Sequence, residues 1–313
     1  MQADNSQDAQ VRVEATQPSL HPMFSFDADV VLGSRDGVLF RVPSTTLKMT
    51  SSWFRTLFTL PQSTIPSTPT TPTPSPLSDT INLDEDARTL EHLLRMICGL
   101  TIPELDSWDT VEPLLYAAEK YDMPGPQSIV RALVRTPPFL DTPLRLYAAA
   151  CRYGWAAEAR LASTRTLTLD LRDRVHRSAL LKLKTDDLLA LQDLHHRRRE
   201  DFRQRLSEPP FLTDMQLTEA YARCARCHEP VDYAAWRELK YVMVLEMDRR
   251  PAGDMIPAGL EEWPAARACW AAKCKKMSCG SSVYDRTSST RAIQEAIIAL
   301  PETIEESTDS AMA

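Results

Sequence analysis

The sequence predicts an α+β protein that continues into an all-α extension and a small cysteine-rich module. Three observations predict this. Two strand-like runs flank an Asp36-Gly37 turn, a pairing that marks a β-hairpin. From Leu83 to Leu206, apolar residues recur at helical spacings of three and four. Five of the seven cysteines fall between positions 224 and 279.

Composition sets the outer limits. With 313 residues, 43% hydrophobic and 25% charged, the chain has material for a real core and is long enough for about two domains. It holds eight glycines, and no two are separated by a single residue. The dinucleotide fingerprint, the phosphate-cradling loop, the kinase glycine loop and the serine-hydrolase elbow are therefore all excluded. The first twenty residues carry no apolar run, and no stretch reaches the ~18 apolar residues of a membrane helix. A cytoplasmic or nuclear protein with no membrane association is expected, its cysteines thiols or metal ligands rather than disulfides. The net charge of −7 gives no general attraction to nucleic acid, which is not an expected partner.

The elements follow in order. Residues 1–23 are polar and aperiodic and are expected to be a disordered tail. Phe26–Gly33 and Val38–Pro43 are the hairpin strands, and Ser44–Leu60 is a helix carrying Leu47, Trp53, Phe54, Leu57 and Phe58, with Ser51-Ser52 as a cap before Trp53. In Pro61–Asp79, six prolines and nine Ser/Thr residues fill 15 of 19 positions, which predicts a disordered insert. Thr80–Leu83 reads as a short strand. A helix capped by Asp84 then turns Leu83, Ala87, Leu90, Leu94 and Ile97 toward a core and stops at Gly99. Thr110 opens the next helix, Met123-Pro124-Gly125 breaks it, and Gln127–Val134 is another. Thr136-Pro137-Pro138 marks a boundary between a domain at 24–135 and a helical extension at 138–210. That extension reads as four helices: 144–153, 156–166, 172–181 and 186–206. The cysteine-rich segment spans 221–284, and a short helix with an acidic tail fills 285–313.

This order of elements resembles the BTB/POZ domain. The matching stretches are Asp27-Ala28-Asp29-Val30-Val31 with the following hairpin and Ser52-Trp53-Phe54, then Ile81–Gly99 with its Leu83-Asp84-Glu85-Asp86 start, then Val111–Val134 with Ala118-Glu119-Lys120-Tyr121. Two positions depart from the family pattern. Pro43-Ser44 stands where members usually carry a histidine and often a lysine, and Cys98 stands where many carry tyrosine before the glycine. The resemblance implies a three-stranded sheet with a helical bundle, a homodimer, and a surface for protein partners. Among the family's roles it also implies a substrate adaptor bound to a cullin scaffold in a ubiquitin ligase.

The cysteines carry the one pattern with metal chemistry in it. Cys224-Ala225-Arg226-Cys227-His228 has the haem-attachment spacing, but nothing in the sequence points to the export that haem ligation needs. Two thiolates two residues apart also make half of a tetrahedral zinc site. Cys274-Lys275-Lys276-Met277-Ser278-Cys279-Gly280 supplies a second half, with lysines beside the sulfurs and a glycine for a tight turn. Structural zinc held by Cys224, Cys227, Cys274 and Cys279 is the expectation, with Cys269 or His228 as possible replacements and scattered buried thiols as the alternative. Cys98 and Cys151 are read as core residues, and His195–Arg199 as a solvated basic face.

The function expected is therefore a non-enzymatic interaction protein that dimerises through its BTB-like domain. A transcriptional regulator is the alternative. A zinc-dependent enzyme is a further one, disfavoured because an all-cysteine set describes a closed structural site rather than an open catalytic one.

Overall fold

Alternation along the hairpin builds the sheet. Four strands are present among the described residues: β1 (Ser19–Leu20), β2 (Val30–Gly33), β3 (Val38–Val42) and β4 (Thr80–Asn82), in the spatial order β1-β3-β2-β4. The β2–β3 pair is antiparallel, with Val30 opposite Val42 and Leu32 opposite Phe40, and this register turns those four side chains into the core. β1 runs parallel to β3, and β4 parallel to β2. At the hairpin turn Gly37 takes a φ of +84°, which an L side chain resists. Gly33 serves another purpose: a Cβ there would lie 2.5 Å from Asn82 Oδ1, so glycine lets β4 close onto β2.

The computed structural model describes residues 19–60, 80–209, 211, 223–224 and 226–305. It divides into two units, Met1–Thr136 and Pro137–Ala313. The insert expected at 61–79, the first 18 residues and the acidic end beyond 305 lie outside the described residues.

The first unit departs from the sequence expectation at several edges. The tail assigned to 1–23 stops short, because Ser19–Leu20 pairs with β3 and Phe24 is fully buried. The sheet consequently has four strands instead of three. The single helix expected over 44–60 is two, α1 (Ser44–Thr50) and α2 (Ser52–Leu57), broken at Ser51. Ser51 Oγ accepts from the Phe54 N–H at 3.0 Å and donates to the Tyr121 carbonyl at 2.5 Å, which restarts the helix and ties it to a distant one. α3 (Ala87–Ile97) is capped by Asp86 and not Asp84, with its carboxylate 2.8 Å from the Thr89 N–H. α4 (Trp108–Lys120) starts after Ser107, before the expected Thr110. α5 (Pro124–Leu133) begins on the proline itself, where the missing N–H costs nothing. Leu90, Leu93, Leu94, Val111, Leu114 and Leu115 are buried with Phe54 and Tyr121, and α3 packs on α1, α4 and α5.

The second unit is helical: α6 (Pro137–Leu140), α7 (Pro143–Arg152), α8 (Ala156–Thr166), α9 (Arg177–Leu180), α10 (Thr185–Arg205), α11 (Ala234–Arg249), α12 (Ile256–Glu262), α13 (Pro264–Ala271) and α14 (Arg286–Ile298). The buried alanines 150, 159 and 162 let α7 and α8 approach closely. α14 starts directly after Asp285, which caps it by accepting from the Ser288 N–H at 2.8 Å.

One core runs through both the helical extension and the cysteine-rich stretch. Phe202 and Leu206 at the end of α10 pack with Trp236, Leu239, Met243 and Met247 of α11, Ile256 and Leu260 of α12, Cys269 of α13 and Ile293 of α14. The cysteine-rich stretch therefore shares its core with α10 and α14.

The His195–Arg199 run is also more than a solvated face. Arg198 is 4% exposed, and its guanidinium donates to the carbonyls of Pro251 at 2.7 Å and Pro301 at 2.6 Å. Arg199 donates to Asp248 at 2.5 Å, and His195 Nε2 lies 3.1 Å from Thr166 Oγ1. Helical periodicity marks which face of a helix is apolar. It does not reveal that a charged residue is drawn inward to satisfy carbonyls from two later loops.

Candidate functional site

Two short loops built on the same plan bring four sulfurs together. In the first, Arg223 bridges to Pro230, the Cys224 N–H donates to the Glu229 carbonyl at 2.8 Å, and the His228 N–H donates to the Cys224 carbonyl at 2.9 Å. In the second, Lys273 bridges to Ser282, the Cys274 N–H donates to the Ser281 carbonyl at 2.9 Å, and the Cys279 N–H donates to the Lys276 carbonyl at 2.8 Å. In both, the residue directly after the second cysteine takes a left-handed backbone: His228 at φ +59° and Gly280 at φ +56°. Such a φ is unfavourable for a histidine, so the loop closure is what holds it.

The sulfurs of Cys224, Cys227, Cys274 and Cys279 all lie within 4.8 Å of one another. Cys224 is 3.7 Å from Cys279, and Cys227 is 3.4 Å from Cys274. Four sulfurs bound at ~2.3 Å to one tetrahedral centre would sit roughly 3.8 Å apart. The separations are compatible with one zinc-sized ion held by the four sulfurs. Neither alternative ligand joins the four: Cys269 is fully buried in the helical core, and His228 is exposed. Cys98 lies at the end of α3 and Cys151 in α7, each half-buried, and neither belongs to the four.

Ser281 is the residue at this site that the cysteine spacing did not reveal. Its hydroxyl lies 3.2 Å from Cys224 Sγ and 3.1 Å from Cys279 Sγ. That hydroxyl, with the backbone amides of Arg226 and Cys227, draws Cys224 down to about 6, and it lowers Cys279 as well. Cys227 is pushed up to about 12: the Glu229 amide pulls it down, while burial and the three neighbouring sulfurs raise it. Thiolates this close repel one another, so all four ionise together only around a cation. Between the loops, Lys276 meets Glu229 at 3.7 Å, and Lys275 meets Asp232 at 3.1 Å. Exposed pairs of this kind fix register more than they stabilise.

The first unit offers a different kind of site, a surface. Leu20, Met23 and Phe26 are 37–42% exposed beside the edge strand β1, and Met49 of α1 is 82% exposed. Behind that surface, acidic side chains tie strands to helices. Asp29 accepts from the Ser44 N–H at 2.7 Å and caps α1, where Pro43 has no side chain able to do so. Asp36 in the hairpin turn accepts from the Ala87 N–H at 2.8 Å and does the same for α3. Lys120 reaches Asp84 at 2.8 Å and Glu85 at 3.0 Å, and the Tyr121 hydroxyl donates to Glu85. The sequence model of the BTB/POZ domain matches residues 21–136. The chain carries a BTB/POZ domain. No curated protein matches the chain.

Within the BTB/POZ domain, the quoted motifs now have physical roles. Asp29 caps α1, and its carboxyl is held below the usual carboxylate range by the Ser44 hydroxyl and amide. The Lys120-Tyr121 pair grips the loop that launches α3, and Tyr121, 1% exposed, packs edge-on against Trp53. Ser44, one of the departures from the family pattern, keeps the backbone donor that Asp29 needs, so the junction survives the change.

Proposed function

We propose that the protein is a non-enzymatic interaction protein of the cytoplasm or nucleus. In this reading its BTB/POZ domain forms a homodimer and docks a cullin-type scaffold, and the helical second unit recognises the protein to be ubiquitinated. The observation that carries the reading is the BTB/POZ match over residues 21–136, supported by the apolar side chains exposed beside β1. We also propose that Cys224, Cys227, Cys274 and Cys279 hold one structural zinc, which closes the ends of the segment bearing α11–α13. Four sulfurs leave no open position for a substrate, so the metal serves the fold and not a reaction.

The dimer is tested by light scattering on the full chain at tens of micromolar, where twice the chain mass is expected; a strict monomer rejects self-association. The adaptor role is tested by affinity purification and mass spectrometry, comparing the full chain with one lacking 24–135. A cullin recovered only with the full chain is the expected result. Self-association without any cullin would leave a dimerisation module with no ligase role.

A further inference from the structure

The four cysteines are not equivalent by distance. The two sulfur–sulfur contacts at hydrogen-bonding range both cross between the loops, Cys227 to Cys274 at 3.4 Å and Cys224 to Cys279 at 3.7 Å. The remaining sulfur pairs, Cys224 with Cys227 included, lie within 4.8 Å. A disulfide has its sulfurs ~2.05 Å apart, so each crossing pair needs to close by less than about 2 Å. Ser281 touches both members of one crossing pair and neither member of the other.

We propose that this site is also a modification site for peroxides: oxidation expels the zinc and joins Cys224 to Cys279 and Cys227 to Cys274, so that the two loops remain stapled. The inference rests on the zinc reading above. In each pair, one thiolate attacks a peroxide oxygen, the O–O bond breaks, water leaves and a sulfenic acid forms. The second thiolate attacks that sulfur, the S–S bond forms, and the sulfenyl oxygen leaves as water. Across both pairs, one Zn2+ with its four thiolates, two hydrogen peroxide molecules and four protons give two disulfides, four waters and free Zn2+. The metal staple is exchanged for a covalent one that closes the same long loop, and the helices between the loops stay tethered.

The remaining thiols provide an internal reference. Burial raises Cys98, and it pushes Cys151 and Cys269 up to about 12, so these stay protonated and slow to react.

The test uses the purified full chain, hydrogen peroxide and a chromophoric zinc chelator. Trypsin cuts after Arg223, Arg226, Lys273 and Lys275, which places each of the four cysteines on its own peptide. Expected are release of about one zinc per chain, a fall in titratable thiols from seven to three, and linked peptides joining Cys224 with Cys279 and Cys227 with Cys274. Dithiothreitol with added zinc should restore all seven thiols. Links within a loop, links between chains, or sulfinic acids in place of disulfides overturn the inference while leaving the zinc reading intact. A reduced protein that yields no zinc on denaturation, yet forms the crossing links, overturns the zinc reading and leaves the pairing standing. Cys279→Ser sharpens the result: only the Cys227–Cys274 link should form. Circular dichroism of that variant reports whether it folds, and the unmodified chain decides the pairing either way.

Discussion

The two units close long stretches of chain with different chemistry. In the BTB/POZ domain, Asp29 and Asp36 reach helix N-termini 15 and 51 residues further on, yet both junctions are exposed and sit beside a sheet whose core is already packed. Among the described residues of the second unit no sheet organises the chain. There the long closures include the crossing sulfur pairs, 47 and 55 residues apart, and the buried guanidinium of Arg198, which reaches carbonyls 53 and 103 residues away. Where a sheet supplies the frame, polar closures refine it. Where only helices and irregular links are present, polar closures hold the segments in place.

The largest expected effect breaks the sulfur closure. Cys227→Ser leaves three sulfurs for the proposed four-coordinate zinc. Structural zinc supplies on the order of 10–16 kcal/mol of apparent binding energy, so losing even part of it is severe. Native-state trypsin should then cut at Arg223, Arg226 and Lys273–Lys276, while the BTB/POZ domain keeps its protection. A loss on the order of 3–5 kcal/mol is expected for the second unit, with the core shared by α10–α14 limiting the damage. An unchanged digestion pattern would mean that this core holds the loops by itself, and the contrast between the units would fail.

A second effect, of middle size, depends on pH and also belongs to the second unit. Burial, and then the Arg198 charge, push His195 down to about 4 from an ordinary value of 6.5. The unfolded chain therefore binds a proton that the folded chain refuses between those two values. Stability contributed by the neutral imidazole is complete above pH 6.5 and is lost progressively as pH falls toward 4. The cost approaches ~3 kcal/mol at the acid end of that window. Urea titrations at pH 7 and pH 4.5 measure it. His195→Gln keeps a partner for Thr166 and cannot charge, so it should flatten this part of the profile. An equally steep profile in the variant would assign the acid sensitivity to other groups.

These contrasts also explain what could be read from sequence. The BTB/POZ domain was legible because its signals are local: alternation in the hairpin, Gly37 in its turn, the Leu90–Leu94 stripe of α3. The four cysteines were legible because their residue type is rare and their spacing is short within each half. Legibility ended where a partner lies far away in sequence. Asp86 and Ser107 displaced Asp84 and Thr110 as helix caps, since two adjacent candidates can be separated only by where the preceding chain runs. Ser281 and Arg198 look like surface residues until the loops they serve are placed beside them. The core shared by α10, α11 and α14 was invisible for the same reason: each helix shows an apolar face, and none shows whose face it meets.

The smallest expected effect tests the refining closure. Asp29→Ala removes the acceptor 2.7 Å from the Ser44 N–H at the start of α1. Pro43, at the cap position, offers no replacement, so that amide turns to water. Loss of a capping side chain costs ~0.5–2 kcal/mol, and an exposed site belongs at the low end, about 0.5–1 kcal/mol. Asp29→Asn keeps an acceptor oxygen and should recover much of the loss. The sign with pH is fixed by the lowered carboxyl: its contribution is present above the ordinary value of 3.8 and disappears as pH falls through the lower folded value. Wild type and Asp29→Ala should therefore differ at pH 7 and converge near pH 2, as followed by thermal unfolding of the full chain. A loss as large as that of Cys227→Ser would show that the BTB/POZ domain, too, hangs on its polar closures, and would erase the distinction between the two units.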